Sequence, residues 1–119
     1  MLAGDFFTAQ DRLTISEAIR QAEQASRMEI SVYVGPADGD SRSFATQLHN
    51  SLTAPSRTVV IMVDPARQVL EVVTGGWVRE RLDDGAVQVV ADQMRDAFAG
   101  GDLRGGIVVG VDALARHVA

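Results

Sequence analysis

A chain of 119 residues with 46% hydrophobic and 23% charged residues has the length of one domain and the composition of an ordinary globular protein. A formal net charge of −5 speaks against a nucleic-acid partner, which needs a basic face to displace counterions. Cysteine is absent, which excludes a disulfide framework, a thiolate nucleophile and a zinc–cysteine site.

The start, Met1-Leu2-Ala3-Gly4-Asp5, has no cationic segment followed by an apolar one, so no signal peptide is expected. No apolar run approaches the roughly 20 residues that cross a bilayer. The expectation is a cytoplasmic protein without a membrane span, folded as one domain over residues 1–119. Thr8-Ala9-Gln10-Asp11 has the form of a capping box, a hydroxyl followed three residues on by a carboxylate. The helix it opens places Ile15, Ala18, Ile19, Ala22 and Ala25 on one face. Glu29 to Val34 alternates, with Ile30, Val32 and Val34 inward, and reads as a first strand ended by Gly35-Pro36. A polar loop to Asp40 leads to a second helix, with Ser41 or Ser43 as its cap and Phe44, Leu48 and Leu52 every four residues.

Thr58 to Val63 has no polar alternation, so it should be a central strand covered on both faces. Asp64-Pro65-Ala66-Arg67 suits a type I turn that folds a third strand, Val69 to Val73, back antiparallel. A charged loop, Thr74 to Asp84, precedes a helix over Ala86 to Phe98 with Val87, Val90, Ala91, Met94 and Phe98 as its stripe and Asp84 as its cap. Gly100-Gly101 closes that helix. From Gly105 onward, composition suits a short strand, whereas Ile107, Val111, Leu114 and Val118 suit a helix capped by Asp102. The fold class is therefore α/β, a small mixed sheet sandwiched between helices.

Several segments together resemble the TPM domain family: Glu29-Ile30-Ser31-Val32-Tyr33-Val34, Val59 to Asp64, Leu70 to Gly75, Leu82-Asp83-Asp84 and Met94 to Leu103, followed by Gly106-Ile107 and Gly110-Val111. The likeness covers nearly the whole chain and is nearest to a short, stand-alone bacterial branch of uncharacterised proteins. It implies that the last segment is a helix, giving the order α-β-α-β-β-α-α. It also implies an acidic pocket able to hold calcium or magnesium, with Asp64 at the end of the second strand and Asp83 or Asp84 before the long helix. Some members of the family are acid phosphatases, and others assist membrane complexes. The family's Gly-Tyr-Gly-Leu-Glu-Gly loop is replaced by Gly75-Gly76-Trp77-Val78-Arg79-Glu80, so Arg79 stands where the family's glutamate sits, and the family's membrane tail is absent.

Carboxylates of Asp64, Asp83 and Asp84 are hard oxygen ligands of the kind magnesium and calcium take. The same residues also serve as turn formers and helix caps. Arg67, Arg79 and Arg81 offer an anion contact or plain surface pairing. His49 and His117 stand alone and read as surface or boundary residues, and no serine lies in a nucleophile elbow. Trp77 is either folded over the core or exposed as a partner anchor. No catalytic residue is assigned. The expected function is a non-catalytic interaction or divalent-ion-binding module, its ion at Asp64, Asp83 and Asp84 and its protein partner at Trp77 and Arg79. The alternative is a metal-dependent acid phosphatase in which Arg79 clamps the phosphate.

Overall fold

A computed structural model of the chain describes Leu2 and residues 6–119. The reading of Met1, Ala3, Gly4 and Asp5 as lacking a leader lies outside those residues. Helix α1, Ala9–Ser26, begins with the expected capping box: Thr8 Oγ1 accepts from the Asp11 N–H at 3.0 Å, and Asp11 Oδ2 accepts from the Thr8 N–H at 2.9 Å. Its buried face ends on Ser26 rather than Ala25, because the drift of a 3.6-residue period carries the inward face one position further. The buried Ser26 hydroxyl is satisfied by Ala22 O at 2.6 Å.

Strand β1, Glu29–Val34, buries Ile30, Val32 and Val34 as its alternation predicts. Helix α2, Ser41–Asn50, is capped by Asp40 and not by either serine, since Asp40 Oδ2 takes the Ser43 N–H at 2.8 Å. A 3-10 turn, Pro55–Arg57, leads into β2, Thr58–Asp64, which is buried along its whole length. Strand β3, Val69–Thr74, follows a four-residue turn closed from Gln68 N to Pro65 O, with Gln68 left-handed at φ 56°. A short helix α3, Gly76–Arg79, lies within the segment read as loop. Helix α4, Asp84–Ala99, is capped by Asp83 rather than Asp84, because the acceptor must stand three residues before the Ala86 N–H that it takes at 2.8 Å. Helix α5, Leu103–Val118, is capped by Asp102, and the final segment is helical as the periodicity of its apolar residues allows.

The sheet order is β1-β2-β3, with β1 and β2 parallel and β2 and β3 antiparallel. Alternate residues of the central strand serve two cores. Val59, Ile61 and Val63 join α1, α4 and α5 on one face. Val60 and Met62 meet Ala45, Phe44 and Leu48 of α2 on the other. This two-sided burial is why β2 carries no polar alternation. On the larger face, α5 packs against both α1 and α4. The α4–α5 approach depends on Gly106 and Gly110, where a Cβ would collide with the Phe98 ring and the Met94 side chain. The fold is a small three-stranded mixed sheet between helices, an α/β class as expected from the sequence.

Candidate functional site

Register decides which candidate residues share a neighbourhood. Because β3 runs antiparallel to β2, Asp64 pairs with Val69 at one end of the sheet, and Thr74 pairs with Val59 at the other. The Gly75 N–H then binds Thr58 O at 3.0 Å, so α3 and the residues leading to Asp83 begin at the Thr58 end. Helix α4 runs back, and its last residues Phe98 and Ala99 line a cleft together with Asp64. Fifteen helical steps separate Asp84 from Ala99, about 22 Å at 1.5 Å per residue. Asp83 and Asp84 are therefore a helix length from Asp64. Among the described residues, no group of three or more His, Asp or Glu is placed to hold a metal ion. The expectation that Asp64, Asp83 and Asp84 converge on one calcium or magnesium is corrected: a strand reversal and a helix length separate them.

Asp64 is 3% exposed, and both of its oxygens are engaged by backbone. Oδ2 accepts from the Ala37 N–H at 3.0 Å and Oδ1 from the Arg67 N–H at 3.3 Å. The Arg67 guanidinium returns a hydrogen bond to Ala37 O. This lattice ties the β1–α2 loop to the β2–β3 turn, so Arg67 serves the loop rather than a site shared with Arg79 and Arg81. Beside it lies a cleft of about 620 Å³ between the turn and the α4–α5 junction. Its walls include Val63, Val69, Leu70, Phe98 and Leu103, with Gln68 and Arg95 as further polar groups. Arg95 is half exposed and pairs with Asp92 at 3.3 Å.

The opposite end is built differently. Trp77 is half-buried against the larger core, with the Arg57 guanidinium 4.1 Å and the Arg81 guanidinium 3.8 Å from its ring centroid. It is folded over the core, one of the two alternatives open for it. The Trp77 N–H binds Ser56 Oγ at 3.1 Å, fastening α3 to the 3-10 turn. Arg79 donates to Thr74 O and lines a second cleft of about 320 Å³ with His49, Asn50, Ser56 and Thr74. Glu80 is exposed and pairs with Arg81 at 3.5 Å.

His49 corrects the sequence reading. It is 6% exposed, not a surface residue, and its Nε2 donates to Thr58 O at 3.0 Å. Sequence spacing gave no signal for this, because the partner is a backbone carbonyl nine residues away. His117 is exposed as expected. No helix among the described residues is long and apolar enough to cross a membrane.

Comparison with solved structures gives the same fold elsewhere. The BA42 protein from the psychrophilic bacterium Bizionia argentinensis matches with a TM-score of 0.88 at 21% identity, covering 97% of this chain and 83% of that one. The N-terminal domain of a protein from P. gingivalis matches at a TM-score of 0.82 and 17% identity, over 98% and 78%. The N-terminal domain of the cg2496 protein from Corynebacterium glutamicum matches at 0.80 and 14%, over 95% and 74%. In sequence, uncharacterised proteins from two Mycobacterium tuberculosis strains are 24% identical over 113 residues, 95% of this chain and 68% of theirs. Residues 3–115 match one family over nearly the whole length, and the chain belongs to it: the domain of unknown function DUF5130.

Proposed function

We propose that this domain is a non-catalytic interaction module that seats an apolar side chain of a protein partner in the cleft at the Asp64 end of the sheet. The observation that carries this reading is the chemistry of that cleft. Its walls are chiefly aliphatic and aromatic, and its one carboxylate, Asp64, already has both oxygens on backbone N–H groups. A carboxylate so engaged is already occupied in fastening its own loops, whereas a concave apolar wall with a cation nearby suits an apolar anchor flanked by an acid. Arg95 supplies that cation.

Kinship with the TPM family is part of the same proposal, supported by the element order and the closing helix. A metal-dependent acid phosphatase is the less supported reading, because it needs Asp64, Asp83 and Asp84 around one ion while α4 separates them.

Ala99 is exposed, lines the cleft and sits in the last turn of α4, so Ala99→Glu charges the cleft without disturbing the core. Peptides selected from a displayed random pool on the wild-type domain should carry an apolar anchor beside an acid and bind Ala99→Glu on the order of tenfold more weakly. Equal binding to the variant would overturn the assignment of the cleft. Turnover of a phosphoester that needs calcium or magnesium and vanishes in Asp64→Ala would overturn the non-catalytic reading itself.

A further inference from the structure

The cleft at the Thr58 end gathers hydrogen-bond donors and no acid. Its polar lining comes from three directions: His49 and Asn50 from the end of α2, Ser56 from the 3-10 turn, and Thr74 and Arg79 from β3 and α3. No carboxylate lines it, in a chain with 16 acidic residues. Arg79 has no carboxylate within ion-pairing distance among the described residues, and its guanidinium is fixed by Thr74 O. One fixed contact leaves most of the five guanidinium N–H donors unused.

His49 is held in one orientation. Thr58 O can only accept, so Nε2 carries the proton of that bond. The ring has no second hydrogen bond, and no buried side-chain nitrogen or oxygen among the described residues lacks a partner. The other nitrogen, Nδ1, is therefore not fully buried, on a residue that lines the cleft. The same reasoning applies to the Thr74 hydroxyl, which belongs to a buried residue and has no protein partner. Ser56 Oγ accepts from Trp77 N–H and keeps its own O–H to give. Arg57 and Arg81, parked on Trp77, hold this wall in place without entering the cleft.

We infer that this cleft is a binding site for a small oxyanion, a carboxylate or a phosphate group, held by the Arg79 guanidinium, the Ser56 and Thr74 hydroxyls and the Asn50 amide. An anion with several lone pairs can use donors arriving from α2, the 3-10 turn and α3 together, and the guanidinium supplies the charge. This site is separate from the apolar cleft and stands whether or not that cleft seats a partner.

The test is an amide NMR titration of the full chain with inorganic phosphate and, separately, with acetate. Saturable shifts at Asn50, Ser56, Gly75 and Gly76 are expected with at least one of the two. Phosphate alone would mark a tetrahedral ligand, acetate alone a planar one, and both the shared chemistry. Arg79→Ala, an exposed change that leaves the core intact, should weaken binding on the order of tenfold by removing the charged donor. Arg95→Ala, at the other cleft, should bind as wild type does. Absence of saturable shifts at tens of millimolar of either anion, or an unchanged titration in Arg79→Ala, would overturn the site.

Discussion

The two ends of the central strand are each closed by a buried polar side chain, and they do it in opposite senses. At the end of β2, Asp64 accepts backbone N–H groups from Ala37 and Arg67. At its start, His49 donates to the Thr58 carbonyl. A carboxylate with both oxygens engaged leaves an apolar cleft beside it. An imidazole with one nitrogen engaged leaves the other for whatever enters. The contrast shows how one strand can present two surfaces of different chemistry while its middle remains wholly apolar.

The largest effect belongs to the polar end. A Cβ at Gly75 would collide with the carbonyl oxygens of Pro55 and Ser56, which are backbone atoms and cannot swing aside. Gly75→Ala should cost about 3 kcal/mol or more and lower Tm by roughly 10 °C. Gly76→Ala, with no neighbour closer than 3.8 Å, is the matched control and should cost well under that. Equal melting of the two variants would mean the 3-10 turn can retreat, and the polar cleft with it.

Next come the two closing side chains themselves. Asp64→Ala strands the Ala37 N–H, a buried donor with no other acceptor, and should cost about 2–3 kcal/mol in urea denaturation. His49→Ala should cost less, about 1–2 kcal/mol, because Thr58 O keeps the Gly75 N–H. A reversed order would break the comparison, since it would make the imidazole and not the carboxylate the stronger fastening. Gly106→Ala is smaller again. It pushes on the Phe98 ring, a movable side chain that also lines the apolar cleft, and with the helix propensity Ala regains should cost about 1 kcal/mol or less while weakening any ligand of that cleft.

Much of the fold was legible because burial leaves a period. The alternation of Ile30, Val32 and Val34, the unbroken run from Thr58 to Val63 and the stripe of α4 each follow from which faces meet a core. The site was less legible, and for a reason that residues alone partly contained. An antiparallel β2–β3 pair already sends Thr74 back to the Thr58 end, so Asp83 and Asp84 could not stand beside Asp64. Other features had no sequence signal. Nothing in the period distinguishes Asp40 from Ser41 as a cap, since the choice depends on which side chain reaches the Ser43 N–H. His49 is buried by a carbonyl contact, and a backbone oxygen leaves no trace in composition.

The smallest effect concerns the start of α2, at the end of the sheet where Arg67 lies. The Ser43 backbone N–H, then the Ser43 hydroxyl, and more weakly the Arg67 charge hold the Asp40 carboxyl below its ordinary value of 3.8. A carboxylate with a lowered folded pKa stabilises the native state fully above its unfolded value, and that contribution is lost as pH falls through the folded one. Asp40 thus contributes fully at neutral pH, begins to lose that contribution as pH drops below about 4, and has lost it only below the lowered folded value. Asn also caps helices but does not titrate, so Asp40→Asn should flatten part of the acid limb of a stability–pH curve while changing neutral stability little. An acid limb identical to wild type would mean that the cap geometry, and not the charge, is what α2 draws from this position. Because Asp40 caps the start of α2 and His49 lies in its last turn, that result would also say whether its two ends differ in electrostatics or only in which way their hydrogen bonds point.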